Sequence, residues 1–231
     1  MSSQPTSHGR PPSDVAATPV TSVVFDLDGV LVNSFAVMRE AFTLAYAEVV
    51  GEGEPPFEEY NRHLGRYFPD IMRIMDLPLE MEAPFVRESY RLAHRVEMFD
   101  GVPELLSELR ERGLGLAVAT GKSGPRARSL LEQLGILPLF DIVLGSDEVA
   151  HPKPAPDIVL KAMAAMGAQP ERTVMVGDAV TDLASARGAG VTAVAALWGE
   201  TEEETLLAAE PDVVLRKPAE LLELCPAVAV R

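Results

Sequence analysis

The sequence predicts an α/β protein, in which a doubly wound parallel sheet is interrupted by an inserted all-helical segment. Short apolar runs alternate with helical stretches from Gly101 onward, and this alternation is typical of parallel sheets. The interval 35–98 breaks the alternation, because its apolar residues recur at three- and four-residue steps. Hydrophobic residues make up 47% of the 231 residues, which is enough for one large or two modest domains with a core.

The apolar runs predict six strands in a Rossmann-like core. The runs are residues 22–25, 114–119, 141–144, 173–176, 191–195 and 212–215. Helical stretches between them include residues 103–112, 127–134, 157–166 and 218–224. Because the runs are nearly continuous in apolar residues, we expect strands that are buried on both faces.

The chain is predicted to have three parts. Residues 1–20 are a flexible tail, rich in Ser, Pro, Thr and Gly and without the apolar segment of a secretory signal. Residues 21–34 and 99–231 form the α/β core, and residues 35–98 form a helical cap that follows the first strand. Insertions at this point overhang the strand ends, so we expect a mobile lid; a purely structural bundle is the alternative.

Composition restricts the partners. The net charge of −15 would repel a polyphosphate backbone, so we expect no nucleic acid partner. No stretch approaches the roughly 20 apolar residues of a membrane helix, so we expect no membrane partner either. Cys225 is the single cysteine, which excludes an intramolecular disulfide and predicts a cytoplasmic protein. A small anionic substrate remains compatible with this charge, and the oligomeric state is left open.

Polar residues follow four of the predicted strands at their carboxyl ends. In a parallel sheet these ends converge on one crevice, where open α/β sheets bind ligands. Taken singly, each residue has an ordinary explanation, since Asp and Gly favour turns and acidic residues favour the first turn of a helix. The residues are Asp26 and Asp28, then Thr120 and Gly121, then Lys153, and finally Asp178 and Asp182.

Taken together, these residues predict phosphoryl transfer with a metal. Several carboxylates in one crevice repel one another unless a cation joins them. A hard divalent cation with oxygen ligands fits best, and Mg²⁺ is therefore the predicted cofactor. Thr120 and the amide of Gly121 can donate to phosphate oxygens, and Lys153 can pair with a phosphate and a nucleophilic carboxylate. A carboxylate can attack phosphorus and form an acyl phosphate.

The chain resembles the haloacid dehalogenase superfamily, whose four motifs occur here in order. They are Asp-x-Asp at 26–28, Thr120, Lys153, and Gly177-Asp178-x-x-x-Asp182. The resemblance spans about residues 21–225, and the position of the helical segment is similar to the subfamily with a helical cap. The segments 146–157 and 196–199 look most like phosphoglycolate phosphatases. The resemblance implies a magnesium-dependent phosphomonoester hydrolase that acts on a small phosphorylated metabolite.

The resemblance also implies a role for each residue. Asp26 is the nucleophile that forms an aspartyl phosphate. Asp28 is the general acid and base, and we expect its pKa to be raised because it must arrive protonated. The implied metal ligands are Asp26, the backbone carbonyl of Asp28, and Asp178, with Asp182 as an outer or water-mediated ligand. The implied phosphate-binding residues are Thr120, Gly121 and Lys153.

Two further groups of charged residues have open roles. Arg126 and Arg128 are expected on the exposed face of a helix, and Lys122 is placed to approach an anionic substrate. His151 is expected to be structural. A loop around Gly65, between two predicted helices, either contacts the organic part of the substrate or is a solvated charged loop; its residues are Arg62, His63, Arg66 and Tyr67.

Alternative functions remain open from the sequence. A phosphomutase of the β-phosphoglucomutase type shares the chemistry and also carries Val at the position of Val30. A phospho-accepting signalling module is a remote alternative, because receiver domains place their acidic residues and Lys after different strands. A dehalogenase or a phosphonate hydrolase does not need Asp28. The candidate substrates are phosphoglycolate, a sugar phosphate, a nucleoside monophosphate, pyrophosphate or an intermediate of specialised metabolism.

Overall fold

The computed structural model describes residues 19–227, so the predicted tail lies outside the described residues apart from its last two. Four α-helices follow one another within residues 35–92, and helices and strands alternate from Glu97 onward, with short 3₁₀ turns between some of them. In chain order they are β1 (Ser22–Phe25), β2 (Val32–Asn33), α1 (Phe35–Val49), α2 (Phe57–Asn61), α3 (Phe68–Ile74), α4 (Glu82–Leu92), β3 (Glu97–Met98), α5 (Val102–Glu111), β4 (Gly115–Thr120), α6 (Gly124–Gln133), β5 (Ile142–Gly145), α7 (Asp157–Met166), β6 (Thr173–Gly177), α8 (Val180–Gly188), β7 (Thr192–Ala196), α9 (Glu203–Ala208) and β8 (Val213–Leu215).

The main sheet has six strands in the order β5-β4-β1-β6-β7-β8, and every neighbouring pair is parallel. The first strand is therefore central. Phe25 at its end aligns with Val118 of β4 and Val176 of β6, so these three strands reach the same edge of the sheet. The predicted fold class is confirmed, and each predicted strand agrees with an observed one to within one residue at each end.

Alternate residues of β1 pack on opposite faces of the sheet. Val23 and Phe25 belong to a buried cluster that includes leucines of α5 and α6. Val24 belongs to a second buried cluster, which includes apolar residues of α7, α8 and α9. Helices therefore cover both faces, and this explains why the strand is an unbroken apolar run.

Residues 35–98, which we call the helical insertion, contain α1 to α4. Aromatic rings fill its interior: Phe68 stacks on Phe85 with 4.1 Å between ring centroids, and Phe42 lies 4.7 Å from Tyr60. These rings belong to the same buried cluster as the α5–α6 face of the sheet. The three- and four-residue periodicity of this segment correctly predicted helices, and the mobility of the insertion stays a prediction.

Some features differ from the sequence prediction or were absent from it. Val32 pairs with Met98 in a short antiparallel ladder, which ties together the two chain crossings between the insertion and the core. A two-residue strand has too few side chains to show a period, so the sequence carried no sign of it. The segment predicted as a helix at 218–224 is a 3₁₀ helix, Pro218–Glu223. Among the described residues, every helix is too short or too polar to cross a membrane.

Candidate active site

The first strand ends in two carboxylates that face different partners. Asp26 is only 3% exposed, and its Oδ1 accepts a hydrogen bond from the Leu27 amide at 2.7 Å. Its own backbone amide donates to the carbonyl of Val176 at 2.9 Å, which fixes it beside β6. Asp28 accepts from the Ser34 hydroxyl at 2.5 Å and pairs with Lys122 at 3.2 Å. The two acidic side chains therefore occupy separate electrostatic environments.

Asp178 follows the neighbouring strand β6 and is enclosed by two glycines. A Cβ added at Gly29, where φ is +80°, would lie 2.0 Å from Asp178 Oδ2. A Cβ added at Gly199 would lie 2.3 Å from the Asp178 Cβ. The Glu200 amide donates to Asp178 Oδ2 at 2.9 Å. Glycine is thus required at both positions to let the backbone approach this carboxylate.

Asp182 lies in the first turn of α8 and has two partners. Its Oδ2 accepts a hydrogen bond from the Ala179 amide at 3.1 Å. Asp182 therefore caps the helix, which is the ordinary role of an acidic residue in a first helical turn. Its Oδ1 also accepts from the Lys153 ammonium at 2.6 Å. The helix cap and the ion pair are therefore the same side chain, which is fully buried.

Lys153 is a fixed, buried cation. Its ammonium lies 3.1 Å from Asp26, 2.6 Å from Asp182 and 3.1 Å from the carbonyl of Ala119. Burial by itself lowers the pKa of this group, but Asp182 and Asp26 together raise it above its usual value. An ammonium has three donors, and these three oxygens use them. Lys153 therefore acts on Asp26. Its side chain does not line the open cleft, and the phosphate contact that the resemblance implies for it stays a prediction.

Carboxylate oxygens of Asp26, Asp178 and Asp182 lie within 4.8 Å of one another, and all three residues are buried. Burial and the charge of Asp182 raise the pKa of Asp26 to about 7, against the opposing effect of Lys153. Burial, with Asp182 and Asp26, also raises the pKa of Asp178 well above its usual value. The cluster is therefore short of positive charge. Hard oxygen ligands and uncompensated negative charge fit a divalent cation such as Mg²⁺.

The Asp28 carboxylate is not part of this acidic cluster. Burial by itself raises the pKa of Asp28, but Lys122, Ser34 and Arg126 outweigh burial, and the pKa is lower than usual. The expectation of a raised pKa is therefore wrong for the site as it stands. Nearby cations and a hydroxyl donor stabilise the ionised form, and the sequence showed neither contact. The use of its backbone carbonyl as a metal ligand stays a prediction.

Thr120 and Gly121 lie where the helical insertion meets the core. The Thr120 hydroxyl accepts from the Lys122 amide at 3.2 Å, at the end of β4. A Cβ on Gly121 would lie 2.6 Å from the carbonyl of Gly65 and 2.7 Å from that of Arg66. The insertion loop 64–66 therefore covers the strand end directly. On the other side of the site, Thr181 donates to the Leu64 carbonyl at 3.0 Å.

The four residues predicted around Gly65 have different environments. Arg66 lines the cleft above the acidic residues. Arg62 and His63 both contact Glu59, at 2.8 Å and 3.2 Å, and together with Arg66 they line a separate outer cavity between the insertion and α8. Tyr67 contacts Glu82 at 3.4 Å and lines neither space. The structure therefore brings one of these four side chains, Arg66, to the site.

One prediction about α6 is wrong. Arg126 is not on an exposed face: it is only 8% exposed, and its guanidinium carbon lies 5.0 Å from the centroid of the Phe85 ring. Arg128, two residues on, pairs with Glu148 at 3.1 Å near the surface, as expected. The sequence did carry a signal, because Arg126 is four residues before the buried Leu130 and so shares its helix face.

These residues enclose a cleft of about 50 Å³ between the sheet edge and the helical insertion. Asp26, Asp28, Thr120 and Asp178 lie on the core side. Tyr60, Leu64, Phe68 and Phe85 lie on the insertion side. Lys122 and Arg126 also line it, so with Arg66 the cleft is lined by three cations besides the one buried behind Asp26. The exposed His151 pairs with Asp157 and does not line the cleft, and its structural role stays a prediction.

A parallel α/β sheet with acidic residues at its carboxyl edge and a helical insertion above them is the architecture of an α/β hydrolytic enzyme. Residues 23–196 match the family model described as haloacid dehalogenase-like hydrolase, and the chain belongs to this family. The predicted family resemblance is therefore confirmed.

Several relatives in this family carry phosphatase names. The chain is 38% identical to "Probable phosphatase IndB" of Dickeya dadantii, over 84% of this chain and 88% of the relative. It is 33% identical to a phosphoglycolate phosphatase of Caulobacter vibrioides, over 88% and 90%. It is 30% identical to the pyrophosphatase PpaX of Halalkalibacterium halodurans, over 89% and 96%. These relatives confirm the prediction of a phosphatase within this family.

A solved structure supports the same conclusion. The crystal structure of a hydrolase from Pseudomonas syringae superposes with a TM-score of 0.77 at 25% identity. The match covers 87% of this chain and 96% of that one, so the helical insertion and the sheet are shared together.

Proposed function

We propose that this protein is a magnesium-dependent phosphomonoester hydrolase that acts on a small metabolite through a phosphorylated Asp26. The position of Asp26 carries the proposal. It follows the central strand, lies 3.1 Å from Lys153 and shares an acidic cluster with Asp178 and Asp182. A nucleophile needs a fixed orientation, which these contacts supply, and Lys153 offsets part of the negative charge of the cluster.

In the first step, a carboxylate oxygen of Asp26 attacks phosphorus and the bond from phosphorus to the leaving oxygen breaks. Asp28, which lines the same cleft, gives a proton to the leaving oxygen. Because Lys122 and Ser34 favour the ionised form of Asp28 before substrate binds, this step requires the phosphoryl group to draw Lys122 away, so that the pKa of Asp28 rises and the carboxylate takes up a proton. The Thr120 hydroxyl, the Gly121 amide and Lys122 are placed to hold the phosphoryl oxygens, because all three residues line the cleft. The product of this step is an alcohol and an acyl phosphate on Asp26.

In the second step, water attacks the acyl phosphate and Asp28 accepts the proton that water loses. The bond between Asp26 and phosphorus breaks, and inorganic phosphate leaves with the carboxylate restored. Bound Mg²⁺ would supply positive charge to the phosphoryl oxygens and to Asp26. Asp26 and Asp178 would hold it, with Asp182 as an outer ligand, because Asp182 is already committed to Lys153 and to the α8 cap.

The relatives suggest which substrates to test first. Their names point to phosphoglycolate and pyrophosphate, and we propose these, with sugar phosphates and nucleoside monophosphates, as the first panel. The cleft of about 50 Å³ favours small leaving groups, since a water molecule occupies roughly 10–15 Å³ of such space. The cytoplasmic location stays a prediction from the single cysteine.

Release of phosphate from this panel in the presence of Mg²⁺ tests the proposal. Asp26→Asn should lower kcat by about 10⁴-fold or more, because the amide is a poor nucleophile. The fold should persist, as seen by circular dichroism. Asp70→Asn is the matched control, since Asp70 lies in the helical insertion and pairs only with the exposed Arg73 among the described residues.

Two outcomes contradict the proposal. One is phosphate release by Asp26→Asn at the wild-type rate. The other is isomerisation of a sugar phosphate without phosphate release, which would establish the phosphomutase instead. Trapping a phosphorylated protein that is absent in Asp26→Asn would support the covalent step directly.

A further inference from the structure

Besides Arg66, two cations from residues 122–126 line the cleft, and they differ in one respect. The Lys122 ammonium has a carboxylate partner, Asp28, at 3.2 Å. The Arg126 guanidinium has none: within residues 19–227, no hydrogen bond or ion pair reaches it, and its contact is with the face of Phe85. A guanidinium has five donors. All five are therefore without a protein acceptor in this part of the chain.

An unpaired charge at this depth is costly. Largely buried arginine is rare unless it is paired, because the charge loses much of its hydration without gaining a counterion. The Arg126 nitrogens keep some contact with solvent, since among the described residues Asn61 Oδ1 alone is a fully enclosed side-chain polar atom without a partner. Burial accordingly lowers the pKa of Arg126, although the group stays protonated. The same helix face carries Ala127, Leu130 and Leu131, all buried, so an apolar residue would suit position 126 better for stability. Packing does not explain the arginine.

The cation–π contact with Phe85 is too weak to explain it either. Such contacts contribute modestly compared with the desolvation of a full charge. Asp28 and Glu82 attract the guanidinium, but only through longer-range electrostatics, since neither is within hydrogen-bond reach. The neighbouring groups thus offset part of the desolvation cost of Arg126, but none of them accepts a hydrogen bond from its guanidinium.

The location of Arg126 indicates what the missing acceptor is. Arg126 and Lys122 line both the cleft and an adjoining cavity of about 30 Å³. Ser34, Ser89 and Ser129 supply polar groups to that cavity, although most of its wall is apolar. Asp26 lines only the first space, where the phosphoryl group would react. The guanidinium therefore lies on the leaving-group side of the cleft, beyond Asp28.

We propose that Arg126 is a specificity-determining residue that binds a second anionic group, a carboxylate or a phosphate, on the leaving group of the substrate. The inference rests on the proposed phosphatase function and extends it to a substrate class. A planar guanidinium binds either anion with two parallel hydrogen bonds. An anionic group of the substrate thus pairs with Arg126, which has no counterion within hydrogen-bond reach in the described residues. With a substrate whose leaving group is neutral, Arg126 stays unpaired.

Paired esters test this inference. Phosphoglycolate and 2-hydroxyethyl phosphate have leaving groups of similar size that differ in a carboxylate, and pyrophosphate and methyl phosphate form the corresponding pair for a phosphate. With Mg²⁺ present, the ratio of kcat/KM within each pair should favour the anionic member in wild type. In Arg126→Gln that ratio should fall by about 30-fold or more, because a buried charge pair loses one partner. The pair whose ratio falls identifies the anion.

Two variants serve as controls. Arg126→Lys keeps the charge but not the fork of donors, and it should recover part of the lost ratio. Arg128→Gln removes a positive charge two residues away near the surface, and both ratios should stay at the wild-type value. Thermal unfolding without substrate gives a separate readout. Arg126→Gln should unfold at the same or a higher temperature than wild type, since it removes an uncompensated buried charge.

The inference fails if Arg126→Gln lowers kcat/KM equally for charged and neutral esters, or if both ratios change by less than about threefold. It also fails if the variant unfolds at a much lower temperature, which would make Arg126 a structural residue. Hydrolysis of p-nitrophenyl phosphate that depends on Asp26 separates the two ideas. If it is absent, the phosphatase proposal itself fails; if it is present with unchanged ratios, only the role of Arg126 is wrong.

Binding without turnover provides the last check. Calorimetry with phosphonoacetate and ethylphosphonate compares a charged and a neutral non-hydrolysable analogue. Wild type should bind phosphonoacetate more tightly, and Arg126→Gln should abolish this preference. If wild type and Arg126→Gln prefer phosphonoacetate over ethylphosphonate by the same factor, the inference is wrong.

Discussion

The two sides of the cleft differ in how completely the protein pairs its own charges. On the sheet side, Lys153 contacts three oxygens, and each carboxylate of the acidic cluster has a backbone or lysine partner. On the opposite side, the insertion loop 64–66 presents backbone carbonyls and aromatic rings of the insertion form the wall. Arg126 of the adjoining core helix α6 has no acceptor there among the described residues. The reacting groups are thus held in place before substrate arrives, whereas the opposite side has an interaction left to make.

The difference has a physical reason. The sheet edge is built from strand ends whose register is fixed by backbone hydrogen bonds, so side chains there are positioned rigidly. The insertion covers the site with its aromatic wall and with the loop 64–66, which contacts the core at Gly121 and at Thr181. Reactivity is therefore expected to depend on the sheet side, and substrate choice on the insertion side and α6.

Of the changes considered, metal removal should have the largest effect on activity, and this effect should arise on the sheet side of the cleft. Excess chelator should abolish phosphate release, and Mg²⁺ should restore it, because the acidic cluster is short of positive charge. Saturating Mg²⁺ should also raise the unfolding temperature by roughly 5–10 °C. Asp178→Asn should lose that shift. Full activity in chelator, or an equal shift in Asp178→Asn, would contradict a metal site at the sheet edge.

Lys153→Met should have the next largest effect. It leaves Asp26 and Asp182 buried without their counterion, so kcat should fall by about 10²–10³-fold. The free energy of unfolding should fall by about 3–5 kcal/mol, measured by denaturant titration. Lys161→Met is the matched control, because this lysine is exposed on α7 and donates only to the Glu148 carbonyl among the described residues. An unchanged kcat in Lys153→Met would show that the sheet side does not depend on this pairing.

Gly121→Ala should have a smaller effect on catalysis than the two preceding changes. The substitution should disturb only the contact between the core and the loop 64–66 of the insertion. The added Cβ would lie 2.6 Å from the Gly65 carbonyl, so the loop 64–66 must move away. We expect KM to rise by about tenfold while the global fold persists, since misplacement of a covering loop weakens substrate positioning. Gly188→Ala is the control, because its nearest neighbour is a proline side chain at 3.3 Å. Equal KM in both variants would mean that the loop does not shape substrate binding.

Much of this arrangement was predictable from particular residues. The six apolar runs predicted the strands, and the parallel topology they imply brought Asp26, Thr120 and Asp178 to one edge. This works because a parallel sheet aligns the carboxyl ends of its strands whatever the intervening chain does. The helical periodicity of residues 35–98 was equally readable, since amphipathic helices show their buried face in the sequence.

Contacts between distant segments were not predictable in the same way. The lowered pKa of Asp28 depends on Lys122 and Ser34, which reach it from different elements. The burial of Arg126 depends on Phe85, 41 positions earlier in the helical insertion. The short ladder between Val32 and Met98 likewise joins two segments separated by the whole insertion. No local pattern encodes such pairings.

The sequence by itself determined the alternation of strands and helices, the family motifs and the set of acidic residues at the strand ends, because these follow from local periodicity and chain order. Only the tertiary structure decided which charges are paired and which is left open. Packing of the insertion on the core sets the dielectric surroundings and the distances on which that pairing depends.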